Sequence, residues 1–150
     1  MFNLQINYNH DFQFAREIIW TYLQDEDVLK KTLPGCRTFE EIDDNLYNAE
    51  LGLNIGPVKG KFEGEVRLSE QQEPVSYRLL LKGKGKPGEV NADALITLTE
   101  NEVGTTLTCE ADVHVTGVLA GVGQRVMGSV AKMILGRFFK AVAEEMKQTA

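Results

Sequence analysis

Residues 119–147 read LAGVGQRVMGSVAKMILGRFFKAVAEEMK, and this stretch decides the fold. Its apolar residues recur every three or four positions, a spacing that places them on one face of an α-helix. They are Leu119, Val122, Val126, Val130, Met133, Ile134, Phe138, Ala141 and Val142. At ~1.5 Å per residue the stretch predicts one helix of about 40 Å, long enough to lie across a whole sheet.

Three glycines interrupt the first half of this predicted helix. Gly121, Gly123 and Gly128 each cost about 1 kcal/mol relative to alanine in a helix interior, so helix propensity does not explain them. We expect them to thin the helix near its start and to leave space beneath it.

The rest of the chain divides into a short helical part and a long β part. An alternating strand at 2–9 precedes two helices, which Asp11 and Asp25 would cap and which Pro34-Gly35 ends. From residue 38 to residue 115 the apolar residues alternate, and short turns divide them into six strands, as in antiparallel hairpins. The predicted fold class is therefore α+β, with a sheet wrapped on one long helix.

Composition and charge exclude several classes of protein. The 150 residues are 43% apolar and 25% charged, which is ordinary for a globular protein and fits one domain over residues 1–150. The net charge of −6 argues against a nucleic-acid partner. The sequence has no signal peptide and no apolar run that could cross a membrane. Cys36 and Cys109 form no disulfide framework or metal motif, so we expect a cytoplasmic protein.

Small residues mark the inward rows of the predicted strands. Gly60, Gly64, Ala92, Ala94 and Ala111 would face the part of the long helix that carries glycine. Either the two layers approach closely, or an apolar volume remains between them. Because a twisted sheet coils away from a straight helix, the cavity is favoured, and a large cavity usually serves a ligand.

Two motifs and the glycine-rich start of the last helix resemble those of one family. Leu33-Pro34-Gly35-Cys36, the run from Gly56 to Phe62 (GPVKGKF) and the segment 118–130 are similar to the family of the carbon monoxide dehydrogenase G-subunit. That family belongs to the START-like (SRPBCC) superfamily, which also includes the birch pollen allergen. The resemblance covers nearly the whole chain.

The resemblance implies a helix-grip fold, in which a seven-stranded antiparallel sheet wraps around a long C-terminal helix, with two short helices after the first strand. It implies a hydrophobic tunnel between sheet and helix. It also implies an association with a molybdenum-containing hydroxylase of the carbon monoxide dehydrogenase type, in membrane recruitment or in handling a lipophilic electron acceptor. Some members continue to a hydrophobic anchor, whereas this chain ends at Ala150, so peripheral membrane contact is expected rather than direct anchoring.

No pattern in the sequence predicts catalysis, a cofactor or a metal. Gly83, Gly85 and Gly88 have the spacing of a dinucleotide-binding loop, but a strand follows them where that mechanism needs a helix. His114 shares a strand face with two carboxylates, which is typical of a solvated outer face. No metal motif is present, and no nucleophile has an evident base.

The predicted function is non-catalytic binding of a hydrophobic small molecule, such as a lipid or a quinone, in the tunnel. The candidate lining residues are Phe62, Val66, Tyr77, Leu79, Ala94, Ala111, Val113, Val122, Val126 and Val130. The candidate cavity mouth consists of Pro34, Gly35, Gly56 and Pro57. A basic stripe that includes Lys82, Lys84 and Lys86 would dock an acidic partner or anionic lipid headgroups.

Two alternatives stay open at this point. The protein could be a docking or assembly factor that carries no ligand, with the cavity incidental. It could also be a small cyclase-like or aromatase-like enzyme, because such enzymes share the superfamily. An enzyme would require polar acid–base residues that point into the cavity, and the inward rows are nearly all apolar.

Overall fold

A computed structural model describes residues 2–149. The elements, in order, are β1 (Phe2–Phe12), α1 (Arg16–Leu23), α2 (Glu26–Thr32), β2 (Cys36–Asp43), β3 (Leu46–Ile55), β4 (Val58–Gln72), β5 (Ser76–Gly85), β6 (Gly88–Asn101), β7 (Gly104–Val115), a 3₁₀ helix η1 (Gly117–Val122) and α3 (Gln124–Thr149). The predicted α+β order of one strand, two helices, six strands and a long helix is confirmed.

The seven strands form one antiparallel sheet in the order β1-β7-β6-β5-β4-β3-β2, so the first strand lies beside the last. The strand residues alternate between two faces, as the sequence predicts. On β1, for example, Ile6 is buried, whereas its neighbours Gln5 and Asn7 are exposed. The helix-grip architecture is confirmed.

The two short helices begin differently from each other. Asp25 caps α2 as predicted, because its carboxylate accepts a hydrogen bond of 3.1 Å from the backbone N–H of Val28. Asp11 does not cap α1. Pairing with β7 extends β1 past Asp11, whose carboxylate accepts a hydrogen bond of 2.7 Å from Thr106 Oγ1, and α1 begins only at Arg16.

The predicted continuous helix from Leu119 is wrong in its first turns. Gly123 has a φ of +96°, which ends η1, and α3 starts at Gln124. Such a φ is readily adopted by glycine alone. Gly121 and Gly123 therefore lie before α3 and interrupt the helical segment instead of thinning it. Gly128 is the one of the three that lies within α3.

Backbone contact with the β5–β6 turn holds η1 in place. The N–H of Leu119 donates to the carbonyl of Pro87 at 2.8 Å. A Cβ on Gly88, whose φ is +146°, would lie 2.1 Å from the carbonyl oxygen of Thr116. This close approach explains the last glycine of the 83, 85, 88 spacing without a nucleotide.

The core consists of a tightly packed half and a looser half. In the first, Phe139, Val142 and Met146 of α3 pack with α1, α2 and the strands. In the second, Met127 and Val130 near the start of α3 join η1 and the nearby strand ends. The backbone of α3 comes closest to β1, α2 and α1 and approaches β3, β4 and β5 less closely. The space between helix and sheet therefore lies beneath the first half of α3.

His10 faces the core from the inner row of β1. Its ring lies 4.7 Å from that of Phe12 and 5.8 Å from that of Phe139, measured between centroids. Burial lowers the pKa of the imidazole from its ordinary value, and the opposing charge of Asp11 only partly offsets this. The folded protein thus favours neutral His10.

The unfolded chain binds the His10 proton more readily than the folded protein does. The free energy of unfolding is therefore highest above pH ~6.5, and it declines as the pH falls below that value toward the lowered pKa of the folded state. We expect the Tm of wild type to fall more between about pH 7 and about pH 5 than that of His10→Phe, which keeps an aromatic ring there. Equal slopes in thermal unfolding monitored by circular dichroism would show that another group titrates.

Candidate ligand-binding cavity

An apolar cavity of about 200 Å³ lies between the sheet and the first half of α3. Every strand except β2 contributes to its wall, together with η1 and α3. The lining residues are Leu4, Leu51, Leu53, Val58, Phe62, Leu81, Gly83, Val90, Val113, Leu119, Met127, Val130, Ala131 and Ile134. None of these side chains carries an oxygen, a nitrogen or an ionisable group, so the wall suits an apolar ligand and offers no acid or base.

Two glycines face each other at the floor, and Gly83 of this pair lines the cavity. Gly83 of β5 lies directly opposite Gly64 of β4 in the sheet register. A Cβ on Gly83 would meet nothing closer than 3.8 Å, so the space above this residue is open. A Cβ on Gly64 would lie 2.0 Å from the carbonyl oxygen of Lys82, so close approach of the two strands excludes a side chain there. The hollow thus results partly from the missing side chain of Gly83, while Gly64 allows β4 and β5 to approach each other.

The size of the cavity restricts what it can hold. Packed interiors contain few voids larger than a water molecule. An apolar cavity of ~150 Å³ takes up benzene, whereas typical sites for drug-sized ligands measure ~300–1,000 Å³. At about 200 Å³ the cavity fits a small ring system or a short chain.

A second chamber of about 80 Å³ adjoins the cavity. Both spaces are lined by Leu51, Phe62, Leu81 and Gly83. The other residues around the smaller chamber are Leu33, Ala49, Glu63, Gly64, Glu65, Val66 and Lys82. Phe62, with 7% of its surface exposed, has the largest side chain of these four shared residues.

The structure brings some of the predicted lining residues together and separates others. Phe62, Val113 and Val130 lie on the cavity wall, and Val66 lines the smaller chamber. Tyr77, Leu79, Ala94 and Ala111 belong to the tightly packed half of the core. Val122 packs beside the cavity without lining it, and Val126 is 41% exposed.

The separation has a simple physical cause. The strands are longer than the cavity, so inward residues far from η1 meet the second half of α3 and the short helices instead. Val126 directly precedes Met127 on α3, and consecutive residues of a helix point about 100° apart, so Met127 is buried while Val126 is exposed. Roles in ligand binding stay predictions for the whole set.

Sequence reasoning missed Leu4, Leu51, Leu53, Val58, Leu81, Gly83, Val90, Leu119, Met127, Ala131 and Ile134 as lining residues. Many of these share a position that the sequence does indicate. They are inward residues near the turns at Gly56-Pro57 and Lys86-Pro87, which lie at the same end of an antiparallel sheet. The wall of the cavity is formed by inward residues at this end of the sheet rather than at its middle.

The predicted mouth segments border different spaces. Gly35, with a φ of +68°, accepts a hydrogen bond of 2.8 Å from the N–H of Gly52 on β3, next to Leu33 of the smaller chamber. A Cβ on Gly35 would lie 2.0 Å from the carbonyl oxygen of Gly52. Gly56-Pro57 joins β3 to β4 beside Val58 of the cavity wall. Ligand entry at Pro34, Gly35, Gly56 or Pro57 stays a prediction.

The predicted docking stripe is interleaved with acidic residues. Lys84 lies 3.8 Å from the carboxylate of Glu89, Lys82 lies opposite Glu65 in the sheet register, and Lys86 is exposed in the β5–β6 turn. The stripe is therefore not a uniformly positive surface. Its docking role stays a prediction.

A second basic surface, which sequence reasoning did not single out, lies on α3. Its cations are Arg125, Lys132, Arg137 and Lys140, and its exposed apolar residues are Val126 and Met133. Between Gln124 and Lys140 the helix has no acidic residue. Within residues 2–149 none of these four cations takes part in an ion pair. We call this surface the basic face of α3.

The titratable groups elsewhere show no reactive arrangement within the described part of the chain. Burial raises the pKa of the Cys109 thiol to about 11 and also raises that of Cys36, so both thiols are protonated at neutral pH. His114 hydrogen-bonds the side chain of Asn3 on the outer face of the sheet. Across residues 2–149 no three histidine, cysteine or carboxylate side chains are grouped to bind a metal.

None of the helices in residues 2–149 combines the length and the apolar character that crossing a bilayer requires.

Comparison with protein families places the chain in a known family. Residues 10–147 match the family described as the G-subunit of carbon monoxide dehydrogenase (CoxG). The chain belongs to the CoxG family. No protein of curated function is detectably similar to it in sequence.

Solved structures of other proteins share this fold. A conserved protein from Geobacillus kaustophilus is 34% identical to this CoxG-family chain, with a TM-score of 0.91 over 99% of this chain and 97% of its own. A START superfamily protein from Mycobacterium smegmatis has a TM-score of 0.78 at 13% identity, over 97% and 99% of the two chains. Protein Ms6760 from the same organism has a TM-score of 0.73 at 18% identity, over 98% and 93%. The last two show the shared fold alone.

The glycine pair in the floor gives a sharp test of the hollow. Gly83→Leu is expected to raise the free energy of unfolding by about 1 kcal/mol, because it replaces a flexible strand residue and fills open space. Gly64→Leu, the matched change on the paired strand, is expected to cost about 2 kcal/mol or more, because its Cβ collides with backbone. Urea unfolding measures both; a large loss in Gly83→Leu would mean that the space above Gly83 is closed.

Proposed function

We propose that this CoxG-family protein is a non-catalytic carrier that holds a hydrophobic small molecule, lipid-like or quinone-like, between the sheet and α3. The observation that carries the proposal is a cavity of about 200 Å³ whose entire wall is apolar. Apolar burial contributes about 25 cal/mol per Å² before association costs are subtracted, so such a wall binds by shape and apolar area.

The family description supports a partner of the carbon monoxide dehydrogenase type. We propose that the protein works in the cytoplasm beside a molybdenum-containing hydroxylase of this kind and hands its apolar cargo to or from that enzyme. The carrier itself needs no cofactor for this role, because binding and release break no covalent bond.

The geometry favours carriage over a cyclase-like or aromatase-like reaction. General acid–base catalysis requires a titratable group within hydrogen-bond reach of the reacting atoms. The cavity wall provides none, since all its side chains are hydrocarbon or thioether. Tyr8 and His10, the titratable residues on the inner row of β1, both contact Phe139 in the other half of the core.

Ligand carriage predicts that native mass spectrometry of the purified protein shows an apolar adduct that organic solvent removes. It also predicts that delipidated protein binds naphthalene in calorimetric titration. Gly83→Leu, which fills the floor of the cavity, is expected to reduce this affinity at least about tenfold, because the two fused rings lose the space they occupy. A wild type that neither carries an adduct nor binds naphthalene would refute the carrier.

A docking role is the second candidate, and the basic face of α3 favours it. Four cations that form no ion pair within residues 2–149 lie on five turns of a helix in a chain of net charge −6, so positive charge is concentrated on one surface. Exposed Val126 and Met133 give the same surface apolar contacts. A cationic helix face with apolar residues is typical of helices that lie on anionic membranes.

Peripheral membrane docking predicts binding to vesicles of equimolar phosphatidylglycerol and phosphatidylcholine. At ~1 kcal/mol per cation, the double variant Arg125→Gln, Lys132→Gln should bind about 30-fold more weakly in co-sedimentation. The matched control Lys82→Gln, Lys84→Gln on the sheet should change binding less than about threefold. Equal losses of vesicle binding in both variants would show that the basic face of α3 has no special role in docking. Binding to polyglutamate without binding to vesicles would indicate an acidic protein partner instead.

A further inference from the structure

Phe62 occupies an unusual position in the partition between the cavity and the smaller chamber. Its backbone pairs with Leu51 of β3 on one side and with Gly85 of β5 on the other. Phe62 lines both spaces, and its side chain is the largest of the four residues that they share. Any movement of this ring therefore changes the connection between the two spaces.

On β4 and β5 the inward neighbours of Phe62 are glycines, whereas on β3 its neighbour is Leu51. Gly60 and Gly64 precede and follow it at the alternate positions of β4, which share its face. On β5, Gly85 lies opposite Phe62 itself, and Gly83 lies opposite Gly64. Phe62 thus has no side chain beside it at the adjacent inward positions of β4 or directly across on β5.

The aromatic ring rests on the backbone of β5. A Cβ on Gly85 would lie 2.9 Å from Phe62 Cδ1 and 3.1 Å from Cε1, so the ring fills the space that a side chain would need. Because the adjacent positions are also glycine, rotation of the ring between staggered rotamers would displace no side chain at these positions. This arrangement also gives the first two glycines of the 83, 85, 88 spacing a function in the cavity.

The two chambers differ in what they can accept. The smaller one, at about 80 Å³, is well below the ~150 Å³ that takes a benzene ring, so it accepts a chain and excludes a ring. The larger one, at about 200 Å³, accepts either. A ligand that uses both must therefore extend an unbranched apolar chain past Phe62.

We propose that Phe62 sets the length of the ligand that the protein accepts, an inference that rests on the proposed carrier function and specifies its ligand class. In the position observed, the ring confines the ligand to the larger cavity. When the ring turns aside, the chambers become continuous, and an apolar molecule with a linear tail is accommodated. The ligand class assigned is a neutral molecule with an unbranched hydrocarbon chain.

The test is calorimetric titration of the protein with linear alkanols of increasing chain length. Affinity should rise about fourfold per methylene until the accessible space is filled and then level off. In Phe62→Ala the rise should continue for several further methylenes, because the partition is gone. Phe62→Leu, which is less disruptive to folding, should shift the plateau in the same direction by a smaller amount. Phe12→Leu alters a buried phenylalanine in the other half of the core and should leave the plateau unchanged.

Each outcome separates the two proposals. The same plateau in wild type, Phe62→Leu and Phe62→Ala would overturn the role of Phe62 and leave the carrier intact. An equal shift in Phe12→Leu would show general loosening of the core and would also overturn it. If no alkanol binds to any variant, both the carrier and the length-setting role are refuted.

Discussion

The organisation of this protein depends on how a straight helix meets a curved sheet. The second half of α3 packs tightly through Phe139, Val142 and Met146, which fixes the helix to α1, α2 and the neighbouring strands. A rigid helix fixed at one end cannot follow a sheet that twists away from it. The first half of α3 is therefore held above the ends of the strands, and an apolar space remains below it.

Glycine maintains this space from the side of the sheet. Gly83 leaves the floor without a side chain, Gly64 allows β4 and β5 to approach closely, and Gly85 provides the surface on which Phe62 lies. The break at Gly123 lets η1 turn back to the β5–β6 loop, where Leu119 closes the end of the cavity. The unfilled space thus destabilises only the half of the core that contains the cavity. The tightly packed half supplies the stability that keeps this space open. A stable half and a hollow half are what a carrier requires.

Sequence reasoning succeeded for the features that depend on local periodicity and capping. Alternation predicted the strands, and Asp25 was correctly placed as the cap of α2, because a side-chain cap needs only residues three apart. Asp11 failed as a cap because its partner, Thr106, is distant in sequence and becomes a neighbour only through the pairing of β1 with β7. Ala94 and Ala111 were placed on the correct face of their strands but at the wrong end for the cavity, since the distance from η1 is set by the register of all the strands together.

The sequence by itself determined the order of the elements, the faces of the strands and the apolar character of the interior, because each follows from the spacing of residue types along the chain. Only the tertiary structure decided where the interior is hollow and which residues line the cavity. It also decided that the basic face of α3 forms no ion pair within residues 2–149, whereas Lys84 is paired. These features depend on distances between residues far apart in the chain. Such distances are fixed by the angle between helix and sheet, which no local pattern of residues encodes.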